Sequence, residues 1–97
     1  GSRYSTPMIG HSVNKQEEQI LIWDHDTGEI EIYNRNRLLL KQKLIDSNNI
    51  DNPAAFDMNR DGLDEIVLTG KKNNQDKLFV FKLNPNKRLF EEYASVL

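Results

Sequence analysis

Pro53-Ala54-Ala55-Phe56-Asp57-Met58-Asn59-Arg60-Asp61-Gly62-Leu63-Asp64-Glu65-Ile66-Val67-Leu68-Thr69 decides the reading of the chain, because its pattern recurs earlier in the sequence. Residues Pro7 to Trp23 align with it without a gap at an offset of 46. Pro7 falls on Pro53, and Ile20-Leu21-Ile22 falls on Ile66-Val67-Leu68. After a slightly longer turn in the second copy, Ile30, Ile32 and Tyr33 match Leu78, Val80 and Phe81. Arg37-Leu38-Leu39 resembles Arg88-Leu89-Phe90. A repeat of about 45 residues with about four strands per copy has the size of a propeller blade.

The strands follow from apolar spacing. Ile20 to Trp23, Ile30 to Tyr33, Leu38 to Leu40 with Leu44 and Ile45, Ile66 to Leu68, and Leu78 to Leu83 are short apolar or alternating runs, the pattern of half-buried strands. Leu89, Phe90, Tyr93 and Val96 end the chain. Turn-forming clusters separate the runs: Asp26-Thr27-Gly28, Asn34 to Asn36, Asn48 to Pro53, Gly70 to Asp76, and Asn84-Pro85-Asn86. Helical composition is confined to Glu91 to Leu97, which is too short to nucleate a helix alone. The expected fold is all-β: two tandem four-stranded antiparallel blade-like repeats, as a β-propeller fragment or a two-sheet assembly. Gly1 and Ser2 read as a cloning remnant. Repeat 1 is expected over residues 3–47 and repeat 2 over residues 48–97. Two blades do not close a ring, so self-association through open sheet edges is expected.

Composition excludes several classes. The chain has 97 residues and a formal charge of −2, which leaves no basic footprint for nucleic acid and no cationic face for membrane insertion. Arg35, Arg37, Lys41 and Lys43 form a local basic run, but Glu29 and Glu31 lie beside it, so it reads as a solvated face. The absence of cysteine rules out disulfides, cysteine–zinc sites and thiol nucleophiles. No apolar stretch approaches the ~18 residues of a membrane span.

Asp57 to Glu65 is the stretch that carries chemistry. Oxygen-bearing side chains occupy its first, third, fifth and ninth positions: Asp57, Asn59, Asp61 and Glu65. Gly62 follows the third of them, where a tight bend needs a residue without a β-carbon. The Leu63 carbonyl stands at the seventh position. A calcium ion takes six to eight hard oxygens, and a chain curling around it turns alternate side chains inward. With oxygen donors alone, calcium leads over zinc and copper, and magnesium prefers fewer protein ligands. The expected metal ligands are Asp57, Asn59, Asp61, Leu63 and Glu65. The plain alternative is an acidic surface turn that binds nothing. An EF-hand is excluded because its twelfth position, here Leu68, demands a bidentate glutamate.

The run Ala55-Phe56-Asp57-Met58-Asn59-Arg60-Asp61-Gly62-Leu63-Asp64-Glu65-Ile66-Val67 resembles the FG-GAP/VCBS repeat, the blade of integrin-α-like β-propellers. The resemblance implies a calcium loop joining the first two strands of a blade. It covers about thirteen residues, and Glu65 stands where the family usually has aspartate. In the first copy the equivalent residues are His11, Val13, Lys15 and Gln19, so no metal is expected there. Lys15 falls at the position of Asp61 and suits an internal cation. Asp64 is expected to point away from the ion, capping the loop or staying solvated.

The remaining candidates are weaker. Asp24-His25-Asp26-Thr27-Gly28 reads as a hairpin turn rather than a second metal loop. Two turn histidines offer no catalytic triad, and no glycine-rich phosphate loop is present. Trp23, Tyr33, Phe79, Phe81 and Tyr93 are expected in the core. The expected function is non-catalytic: a calcium-stabilised module for protein or glycan recognition, within a larger propeller or an adhesin-like surface protein, outside the cell or in a periplasm. The alternatives are an accessory propeller of a polysaccharide-processing enzyme and an intracellular scaffold propeller.

Overall fold

The computed structural model describes residues 4, 7–44, 53–58, 60–72 and 74–96. Eight strands follow one another: β1 (Met8–Gly10), β2 (Gln19–Asp24), β3 (Glu29–Asn34), β4 (Arg37–Lys43), β5 (Ala54–Phe56), β6 (Glu65–Lys72), β7 (Gln75–Asn84) and β8 (Leu89–Val96). They form two four-stranded antiparallel meanders, β1-β2-β3-β4 and β5-β6-β7-β8. The fold is therefore all-β, with two tandem four-stranded units as expected. The Ile45 end of the third apolar run lies outside the described residues, as does the turn cluster from Asn48 up to Pro53.

The pairing registers establish the repeat independently of composition. Ile20 pairs with Tyr33 and Ile66 with Phe81, and each third strand carries a register shift at one place, between Ile32 and Tyr33 and between Val80 and Phe81. The shifts also correct one part of the alignment. After them, Leu38 lies opposite Tyr33 and Glu92 opposite Phe81, so Leu38 is the structural counterpart of Glu92 rather than of Leu89. The β7–β8 hairpin is longer than the β3–β4 hairpin, which closes at Asn34 and Arg37 through two residues. The polar cluster after Gly70 is likewise not all turn. The β6–β7 pairing continues to Lys72 opposite Gln75, and Asn74 takes a left-handed φ of 64° that suits a tight hairpin.

The core lies between the sheets. Leu21, Trp23, Ile30, Ile32 and Leu40 project from one, and Ile66, Leu68, Phe79, Phe81, Leu83 and Phe90 from the other, in a single cluster. Strand alternation explains the selection, because residues two apart share a face. β1 lies beside β5 and β4 beside β8. Side chains fasten both margins. His11 N donates to Asp64 Oδ2 at 2.7 Å, and Asp64 N donates back to His11 O at 2.8 Å. At the other margin Gln42 Nε2 donates to Phe90 O at 2.8 Å, and Phe90 N donates to Gln42 Oε1 at 2.7 Å. Trp23, Phe79 and Phe81 are buried as expected, whereas Tyr33 is half-buried and Tyr93 is 57% exposed. Tyr93 leaves the core because it falls at the β8 register shift, opposite no residue of β7.

Candidate metal centre

The loop between β5 and β6 gathers three of the five expected ligands. One carboxylate oxygen each from Asp57, Asp61 and Glu65 lies within 4.8 Å of the others. Asn59 lies outside the described residues. Leu63 lies in the loop with its amide donating to Asp61 Oδ1 at 2.9 Å. Gly62 has φ 92°, a conformation that side chains resist, and the aliphatic stem of Lys15 lies over it. A β-carbon at Gly62 would stand 3.1 Å from Lys15 Cδ. Lys15, expected to serve as a cation inside its own loop, thus reaches the acidic loop of the other unit.

Backbone amides shape the cluster. Asp57 accepts from Asp61 N at 3.1 Å and from Gly62 N at 2.8 Å. Glu65, fully buried, accepts from Met58 N at 3.0 Å. These donors orient the carboxylates but do not cancel their mutual repulsion, which is roughly 3 kcal/mol per ionised pair at this spacing for an effective dielectric constant near 20. Lys82 brings a counter-ion to the group. Lys82 Nζ lies 3.1 Å from Asp61 Oδ2 and 5.8 Å from the centroid of the Tyr93 ring. The hydrogen bond to Asp61 raises the Lys82 pKa above its ordinary value, with the Asp61 and Glu65 charges adding to it and burial opposing. Sequence reasoning missed Lys82. The signal was register: extending the Ile66–Phe81 pairing by one residue sets Lys82 opposite Glu65.

The β1–β2 loop shows what the same position does without acids. Gln19, the counterpart of Glu65, is also fully buried. Its Oε1 accepts from Val13 N at 3.2 Å and Asn14 N at 3.4 Å. Its Nε2 donates to Asn14 O at 3.2 Å and to Glu17 O. A neutral amide supplies both donors and acceptors, so the buried Gln19 side chain is satisfied by the backbone of its own loop. A carboxylate at that position supplies acceptors alone.

Other expected features fall into place with one reassignment. Asp24 to Gly28 forms the β2–β3 turn, in which Asp24 Oδ1 accepts from Asp26 N at 2.9 Å and Thr27 N at 3.3 Å, and Gly28 has φ 76°. Asp64 does point away from the acidic trio, but it neither caps that loop nor stays solvated; it clasps His11 of the first unit. Of the basic run, Lys41 sits 3.9 Å from Glu29, and Arg35 and Arg37 are exposed. A groove of about 510 Å³ opens between the units beside the hairpin tips, lined by Asn14, Glu17, Asn34, Arg37, Leu38 and Arg88 among others. No helix among the described residues is long and apolar enough to cross a membrane.

No family model matches the chain, and no curated protein or solved structure matches it. The chemistry of the loop and the shape of the fold carry the functional reading.

Proposed function

We propose that the chain is a non-catalytic β-repeat module whose second loop binds calcium and so rigidifies a recognition surface for a protein or glycan. The observation that carries this is the contrast between equivalent loops: one closed by neutral Gln19, the other holding Asp57, Asp61 and Glu65 within 4.8 Å. The donors are all oxygen, the group suits a hard divalent cation, and Gly62 provides the bend. Asp57, Asp61 and Glu65 would hold the ion, with Asn59 and the Leu63 carbonyl completing the shell. The resemblance to FG-GAP/VCBS blades belongs to the same reading, as does an extracellular, surface or periplasmic setting, where calcium is abundant. The groove beside the hairpin tips, with amides, charges and leucines in one place, is the recognition surface we favour.

Lys82 makes the proposal testable in both directions, because it neutralises Asp61 in the absence of metal. Calorimetry should detect calcium binding, a melt should move upward in calcium relative to chelator, and Asp61→Asn should abolish both effects. Lys82→Met should tighten calcium binding severalfold by removing the competing cation. Absence of binding heat at millimolar calcium, with coincident melts, would defeat the reading.

A further inference from the structure

The groove beside the hairpin tips is built from both units. Leu38, Leu39 and Leu40 of β4 line one side, and Leu83, Pro85 and Arg88 of the β7–β8 hairpin line the other. Three consecutive residues of a strand do not ordinarily line one cleft, because alternate side chains point to opposite faces. The β3–β4 register shift supplies the exception. Leu40 lies opposite Ile32 and Leu38 opposite Tyr33, so Leu39 faces no residue of β3. An extra residue of this kind bends the strand and re-aims its side chains. Leu38 is left 47% exposed, an open aliphatic wall.

The charge on the groove is equally particular. Arg37 and Arg88, one from each unit, both line it and both are exposed. Neither guanidinium has an ion-pair partner among the described residues. Glu17, a carboxylate on the same groove, accepts instead from the Asn34 side-chain amide. Arg88 also holds a φ of 55°, a conformation whose ordinary occupants are glycine and asparagine. The backbone disfavours an arginine there, so the guanidinium itself is what needs a reason. We infer that the groove binds an extended acidic peptide, with an aliphatic side chain against the leucines and carboxylates on Arg37 and Arg88. The inference rests on the groove being the recognition surface, and it chooses between the two ligand classes left open above. Sugars stack their C–H faces on aromatic rings, and no aromatic side chain is among the described residues lining this groove. Guanidinium groups match carboxylates through paired N–H donors, and leucine walls suit an aliphatic side chain. A volume of about 510 Å³ takes a segment of a few residues rather than a folded domain.

Fluorescence anisotropy tests this with a set of labelled hexapeptides that combine aspartate and leucine in every order. Peptides with asparagine for aspartate serve as neutral controls, and oligogalacturonate as an acidic glycan. Acidic peptides should bind, their neutral controls should bind at least about tenfold more weakly, and added salt should weaken the acidic complexes. Arg37→Gln, Arg88→Gly and Leu38→Ser should each weaken binding by about tenfold. All three positions are exposed, so the variants should keep the fold. Arg88→Gly separates recognition from structure, because glycine relieves the left-handed backbone. Its melting temperature should hold or rise while its peptide affinity falls; an arginine kept for the hairpin alone would show the reverse. Equal binding of acidic and neutral peptides, affinity indifferent to both arginine variants, or no binding at millimolar chain overturns the inference. Binding of oligogalacturonate in place of the peptides also overturns it, while leaving the groove as the recognition surface. Calcium calorimetry on the same samples reports the metal loop separately, so a chain that binds calcium and no peptide defeats this inference alone.

Discussion

A β-carbon placed on Gly10 would stand 2.6 Å from Asp64 Oδ2, the oxygen that accepts the His11 amide. The carboxylate has no freedom to retreat without releasing that bond, so Gly10→Ala should cost about 1–3 kcal/mol. With Asp64→Ala already in place the same substitution should cost much less, and a double-mutant cycle should return a coupling of roughly 1 kcal/mol or more. Additive losses in denaturant unfolding would show that the two residues do not constrain each other. Tyr33 gives a second test. Its hydroxyl donates to the Glu31 carboxylate, and this bond first, then burial and the Glu31 charge, raises the phenol's pKa above 10.0. A raised folded pKa means that the contribution to stability is complete below the ordinary tyrosine value and is lost as pH climbs through the higher one. Glu31→Gln should lower the Tyr33 midpoint in a tyrosinate absorbance titration, and an unchanged midpoint would count against the bond.

Gln42 acts as a substitute strand, its amide bonding both polar groups of the Phe90 backbone across the β4–β8 margin. Gln42→Ala should cost about 1–2 kcal/mol, a fall in melting temperature of roughly 5–15 °C. A melt within a degree of wild type would show the margin to be held by packing alone. Much of this level was legible in the sequence. Alternation located the strands, and the ungapped match from Pro7 to Trp23 located the repeat, because burial on one face imposes a period of two. The convergence of the acidic trio was legible for a similar reason, since alternate positions of one short loop meet locally. What escaped was non-local: Lys82 meets Asp61 through cross-strand register, and Asp64 meets His11 across the sheets. The hairpin lengths escaped too. Polar residues that read as turn after Gly70 are held in strand by the pairing from Lys71 to Asp76.

At the scale of the molecule, the repeat is more informative than either unit. Similarity of sequence alone leaves open whether two sheets pack like face to like face. The observed opposition of faces gives the chain a direction, because the two sheets meet through non-equivalent sides. Asp61→Asn should remove calcium binding while leaving both sheets intact by circular dichroism, because Asp61 lies in the loop between β5 and β6.

The buried amide of Gln19 provides an internal standard. Two bends at equivalent positions of the repeat sit in one polypeptide, one closed by a buried amide and the other by a buried carboxylate, and experience the same buffer, temperature and tumbling. Whatever added salt does generically to such a bend will register at Val13 and Asn14, whereas a specific ion will register at Met58, Gly62 and Leu63 alone. The molecule thus carries its own control for separating ligation from ionic strength.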